Sequence, residues 1–213
     1  EELAWSRLIR VLTHEIMKTI TPIASLSETL SKDPASPDLV MGLQTISTSS
    51  KDLIKFVNTY RSLTRVATPV RKPFYLRELM ERVEQLTKQQ IDAAGASYQY
   101  TELTDDILLY ADEGQISQVI VNLISNALQA EATQITITAK IDDADAVVID
   151  VCNNGHPISP DSQEQIFIPF FTTKPEGSGI GLSLSRQIMR LHNGSIRLLR
   201  SDDKQTVFSL LFK

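Results

Sequence analysis

Apolar residues at heptad spacing fill the first third of the chain. That pattern leaves few options: the segment is helical, and its stripe has to be covered by other helices. Ile9, Leu12, Ile16, Ile23, Leu26 and Leu30 fall on one seam, with Thr19 at the one missing position. Residues 32–37 (KDPASP) stop that helix with two prolines, and Asp38 is placed to cap the next. The second stripe runs Leu39, Gly42, Ile46, Ser49, Leu53, Phe56, Tyr60, Leu63, widened by Leu43 and Val57. Two long amphipathic helices joined by a short turn make an antiparallel hairpin. A hairpin alone leaves part of its stripe wet, so the pattern predicts a homodimer that completes a four-helix bundle.

One residue of the hairpin has no packing role. With Ile9 at heptad position a, His14 falls at f and points away from the seam, followed by Glu15. A histidine carried outward on a rigid helix is a group offered to another molecule.

After Thr68-Pro69 the periodicity changes. Residues 74–91 read as a short strand and a helix, 97–101 and 107–110 as strands, and 113–130 as a strongly apolar helix. Residues 135–141 (ITITAKI) and 147–152 (VVIDVC) are strands, 178–191 a helix, and 195–200 and 206–212 the last strands. The expected fold is an α/β (α+β) sandwich, a mixed sheet covered by helices. Residues 159–178 lack a period and are long for a connection, which suggests a lid.

A net charge of −5 disfavours nucleic acid or an anionic membrane surface as the main partner. The single cysteine, Cys152, excludes a disulfide framework, points to a reducing compartment, and reads as a small core residue on its strand. No apolar run approaches the roughly 20 residues that span a bilayer. The chain lacks a signal peptide and opens within a helical pattern without methionine, so it reads as an excised fragment. A membrane or sensor segment enters only through a missing N-terminal part, to which Trp5 extends a coiled coil.

Four local signals in the second region carry chemistry. Asn122 and Asn126 stand four residues apart on one helix face. Two carboxamides on an apolar helix suit a polar ligand or a hard cation, and equally a pair of satisfied buried amides. In NNGHPI, Gly155 lets the backbone approach a flat ligand and Asn153 can hydrogen-bond an exocyclic amine, although an Asn-Gly turn after a strand is also ordinary. IFIPFFTTK suits a closing flap whose Lys174 reaches a phosphate, or a small satellite core. Gly177, Gly179 and Gly181, followed by Leu182, open a helix whose N–H groups favour phosphate oxygens. Their GxGxG spacing misses the dinucleotide GxGxxG.

Together these motifs resemble the cytoplasmic core of bacterial two-component sensor histidine kinases. THEIMKTITPI resembles the phosphoacceptor-histidine box, most like that of nitrogen-regulation sensor kinases. QVIVNLISNALQA resembles the asparagine box, NNGHPI the first glycine box, IFIPFFTTK the phenylalanine box and GSGIGLSL the second glycine box. RLHNGSI resembles the family's strand entry, which leaves His192, like His156, a loop or strand-entry residue.

The resemblance implies a dimerisation and phosphotransfer domain over residues 1–68 and an ATP-binding domain of the type shared with gyrase, Hsp90 and MutL, the Bergerat type, over 69–213. It implies that His14 attacks the γ-phosphate of ATP while Glu15 orients or accepts its proton. Asn126 would hold Mg²⁺ with Asn122 alongside, and Asn153 with Thr206 would read adenine. Gly155 would allow close approach, Lys174 would reach a phosphate, and Gly177, Gly179, Gly181 and Leu182 would cradle phosphates and hinge the lid. The linker at 67–73 would let the domains meet. The partner would be a response-regulator receiver domain, and the chain a cytoplasmic fragment of an inner-membrane sensor protein.

The chain departs from the family at several points. Asn153 replaces a usual aspartate, and a neutral acceptor is weaker by about 1–2 kcal/mol. Pro157 stands for a common glycine, and Gln129-Ala130 for a frequent Lys and aromatic. Lys18, four residues after His14, replaces a polar residue that positions water, which predicts weak regulator dephosphorylation. Thr19 replaces a common proline, while Pro22 still removes a helical hydrogen bond. Two rivals to an autokinase remain: a dimeric signalling scaffold that binds nucleotide poorly, and a clamp ATPase of the gyrase or MutL kind. The hairpin and the lack of a glutamate at position 122 disfavour the latter.

Overall fold

The computed structural model describes residues 11, 14–16, 18–23, 25, 26, 29, 30, 38–64, 66–174, 177 and 179–213, without the side chains of 54, 55 and 57–64. The chain divides into two compact units. The first is Glu1–Arg65 with Ile168–Phe170; the second is Val66–Phe167 with Phe171–Lys213.

In the first unit every described position between 11 and 30 is helical, forming α1, and α2 spans Asp38–Thr64. Trp5, Ile9, Leu12 and the turn at 32–37 lie outside the described residues, as do the side chains of Val57, Tyr60 and Leu63. The seam residues Ile16, Ile23, Leu26 and Leu30 are half-buried, as are Leu39, Ile46, Ser49, Leu53 and Phe56. Gly42 is buried, and a Cβ there would stand 3.1 Å from Leu30 Cδ1, so its lack of a side chain lets the helices approach. Thr19 turns its hydroxyl back to the Glu15 carbonyl at 2.8 Å, which satisfies a polar group at a seam position. Leu43 does not widen the stripe: it is 54% exposed. One residue past Gly42 is about 100° of helix rotation, enough to carry it off a narrow seam.

The second unit begins with a two-stranded antiparallel ribbon, β1 (Lys72–Tyr75) with β3 (Leu108–Ala111). Between them lie α3 (Leu76–Ala93) and β2 (Ser97–Glu102). Then come α4 (Glu113–Gln129), β4 (Gln134–Ile141), β5 (Val147–Asn153), the single turn α5 (Pro160–Gln163), α6 (Gly181–Leu191), β6 (Ser195–Ser201) and β7 (Thr206–Phe212). The main sheet has the order β2-β4-β5-β7-β6; only β2 and β4 run parallel.

Strand alternation explains the sandwich. Ile135, Ile137 and Ala139, Val147, Ile149 and Val151, and Phe208, Leu210 and Phe212 all face the core, where Ile116, Val119, Ile120, Leu123 and Ile124 of α4 meet them. Cys152 falls on the other phase of β5. It is half-exposed and its thiol donates to Gln205 Oε1 at 3.1 Å, so it is not a core residue. Burial pushes its pKa up, which keeps it a thiol.

Three further features depart from expectation. The lid region contains α5, and α6 starts at Gly181 rather than at 178, because Gly179 at φ +66° is off the helical path. The segment 67–71 is not slack. Val70 N–H donates to Asp112 Oδ2 at 2.8 Å, Gln115 Nε2 to the Ala67 carbonyl at 2.8 Å, and the Arg71 guanidinium to the Leu191 carbonyl. Asp112 caps α4 with one carboxylate oxygen, on Gln115 N–H, and holds the incoming chain with the other. No helix among the described residues is long and apolar enough to cross a membrane.

Candidate functional site

The core face of the sheet becomes polar at one end. Along β5 the inward positions run Val147, Ile149, Val151, Asn153; along β7 they run Phe212, Leu210, Phe208, Thr206. Asn153 and Thr206 are register partners, 6% and 3% exposed, at the floor of a cavity of about 590 Å³. The walls are Asn122, Ser125, Asn126 and Gln129 of α4, residues 156–159 after β5, Phe171, Thr172, Thr173 and Lys174 of the lid, and the start of α6.

The structure brings Asn122, Asn126, Asn153, Lys174, Gly177, Gly179, Gly181, Leu182 and Thr206 to this one cavity. Gly155 stands behind it, where a Cβ would come 2.6 Å from the Ala130 carbonyl oxygen. The turn after β5 is pinned to the end of α4, since His156 N–H also donates to that oxygen at 2.7 Å. His14 and Glu15 belong to the first unit. His14 is exposed, and Lys18 Nζ lies 3.8 Å from Glu15 Oε1.

The two α4 amides differ. Asn122 Nδ2 donates to the buried Ser185 Oγ of α6 at 3.0 Å, and a Cβ at Gly181 would overlap the Asn122 amide, so the start of α6 rests directly on it. Asn126 Nδ2 is buried without a partner. An amide in that state has hydrogen-bonding capacity that a ligand can take up. The helix α6 has no side-chain cap at Ile180, so its first N–H groups are not satisfied by a capping side chain.

The described charge in the cavity is a cation. Among the described lining residues there is no Asp or Glu, and Lys174 is the lysine. Its ammonium donates to the Asn126 carbonyl and to Gln129 Oε1, both at 3.2 Å, and burial pulls its pKa down. Burial raises the energy of this cation, and two neutral acceptors only partly compensate. An anion in the cavity would complete its coordination.

Sequence reasoning missed two polar residues that shape the site. Asn154 accepts from Thr133 and Gln134 N–H at 2.9 and 2.8 Å, and its Nδ2 donates to Thr133 Oγ1, which ties the turn to the start of β4. His192 stands in the turn between α6 and β6, as expected, but it is buried. Its Nε2 accepts from Asp112 N–H at 3.0 Å, and its Nδ1 donates to the Ile188 carbonyl at 2.8 Å. His156, by contrast, is exposed beside Glu131, 3.1 Å away.

Residues 111–213 match the family model for histidine kinase-, DNA gyrase B- and HSP90-like ATPases. The sensor histidine kinase ZraS of Salmonella typhi is 28% identical over 210 residues, which cover 97% of this chain and 45% of ZraS. The chain thus spans under half the length of this curated relative. The catalytic domain of histidine kinase ThkA is 34% identical with a TM-score of 0.61, over 67% of this chain and 94% of that one. Histidine kinase ThkA in complex with response regulator protein TrrA is 27% identical with a TM-score of 0.66, over 97% of this chain and 61% of that one.

Proposed function

The chain belongs to the sensor histidine kinase family, and we propose that it moves the γ-phosphoryl group of ATP to His14 and then to an aspartate of a response-regulator receiver domain. The observation that carries this reading is a cavity whose described lining residues include Lys174 and no carboxylate, beside an uncapped helix start, in a chain that also presents an exposed histidine beside a glutamate. Such a cavity favours a polyanion attached to a flat, partly apolar group.

In this reading residues 1–68 form a dimerisation and phosphotransfer domain, and 69–213 bind ATP. One ring nitrogen of His14 attacks the γ-phosphorus, the bond to the bridging oxygen breaks, and ADP leaves. Glu15 holds the N–H of the other ring nitrogen, which keeps the attacking nitrogen's lone pair free. Lys18, close to Glu15, competes for that carboxylate. Asn153 and Thr206 hold the base, Gly155 lets it lie close, and Gly177, Gly179, Gly181 and Leu182 surround the phosphates. Asn126 would meet a hard cation through its Oδ1, with Asn122 beside it, while its buried unpartnered Nδ2 is a donor suited to a phosphate oxygen. Mg²⁺ bound there supplies charge neutralisation of the phosphates. A second copy covers the half-buried seam of the hairpin.

Incubation with γ-labelled ATP and Mg²⁺ tests the reading. The expected product carries acid-labile, alkali-stable label that His14→Ala abolishes. Nucleotide binding without label would leave a signalling scaffold, and steady hydrolysis without label a clamp ATPase. Lys18→Asn is expected to increase dephosphorylation of the regulator, measured as loss of its label.

A further inference from the structure

The amide of Asn153 is locked in one orientation. The Gly155 N–H can only donate, so the atom it meets at 3.0 Å is Oδ1, and Nδ2 occupies the other branch of the side chain. The lock is backed by the rest of the turn. Gly155 is pressed against the Ala130 carbonyl, and His156 N–H donates to the same oxygen. Asn153 lines the cavity floor, and among the described residues no acceptor meets its Nδ2. Its register partner Thr206 shares a 2.8 Å hydrogen bond with Ser201 Oγ in which either hydroxyl can donate, so Thr206 can turn to suit a ligand. The floor therefore offers a fixed donor and an adaptable hydroxyl. No carboxylate among the described lining residues supplies an obligatory acceptor.

Purine bases divide on this point. Adenine presents an amine at position 6 and an acceptor at N1; a 6-oxopurine presents an acceptor oxygen and an N1–H donor. A carboxylate at position 153 would offer acceptors alone, favouring the amine and repelling the oxygen. The locked amide offers its N–H to O6 of an oxopurine, or to N1 of adenine, and repels neither. We propose that this site accepts 6-oxopurine nucleoside triphosphates alongside ATP, and that Asn153 sets this tolerance. The inference rests on the nucleotide-binding reading of the cavity and names the base class it admits.

Inosine triphosphate is the probe, because its base differs from that of ATP only at position 6 and in the N1 proton. Dissociation constants for ATP and ITP are measured by calorimetry with Mg²⁺ on the 213-residue chain and on Asn153→Asp. The substitution keeps an oxygen for the Gly155 N–H while removing the donor. The ITP-to-ATP ratio is expected to stay below about 10 in the natural chain and to rise at least about tenfold in Asn153→Asp, the range that a purine-edge contact discriminates. A ratio above about 10 in the natural chain, which needs no variant, overturns the inference, as does a ratio that Asn153→Asp leaves unchanged. Tight ATP binding with ITP excluded leaves the kinase reading intact and removes only this one. Binding of neither nucleotide overturns both.

Discussion

Every apolar side chain that is buried among the described residues, from Leu76 to Phe212, belongs to the second unit, whereas the hairpin's seam residues Ile16, Leu39, Ile46 and Leu53 are half-covered. The difference lies in what each architecture can close on its own. A sheet with one face under three helices encloses a core; two helices share one line of contact and leave the flanks of their stripes wet. The second unit thus holds its ligand cavity with its own packing. The first presents His14 on an element whose stability is tied to what it packs against.

The largest effect is expected in the enclosed core. Leu123→Ala, at a side chain 1% exposed under the sheet, should destabilise the second unit by about 2–5 kcal/mol in denaturant unfolding. A cost near zero would mean that the core is looser than its burial implies.

Next comes the cap that ties the chain to α4. Asp112→Ala removes the acceptor for both Gln115 and Val70 N–H and should cost about 1–2 kcal/mol. Burial by itself would raise the Asp112 carboxyl, but the N–H donors of Val70 and Gln115 outweigh it, and its pKa stays below the usual carboxylate value. Folding therefore favours the ionised form. Its contribution is present above the usual carboxylate range and is lost as the pH falls through the lowered value, so the gap between natural chain and Asp112→Ala should close in acid titration of unfolding.

The smallest effect on the second unit should come from the hairpin. Ile46→Asp, at a half-buried seam position, should leave the unfolding of the second unit within about 0.5 kcal/mol. The same change should convert the proposed dimer to monomer in sedimentation. A dimer that survives would show that the seam is not the interface.

Much of this was legible in the chain. The strands at 135–141, 147–152 and 206–212 and the helix at 113–130 show the two periods plainly, and their bounds in the structure move by a residue or so. The cavity residues Asn122 and Asn126 are legible as polar groups on an otherwise apolar helix face, and Asn153 as part of NNGHPI, whereas Thr206 enters only through the family resemblance. What escaped notice was polar pairing across long separations. Asn154 looks like one more turn residue until its bonds to Thr133 and Gln134 appear, and His192 looks like strand entry until Asp112 N–H is found on its ring. The segment 67–73 reads as a linker because nothing local shows the three anchors of residues 67–71.

By itself the sequence determined the two periodicities, the heptad seam that sets His14 outward, and the four motifs that meet at the cavity, since each is a pattern within a few turns or one strand. Only the tertiary structure decided the strand order β2-β4-β5-β7-β6, the phase that turns Cys152 away from the core, and the Ala130 contact that pins the turn after β5. Those depend on which distant backbone groups meet, and a hydrogen bond between remote residues leaves no period in the chain.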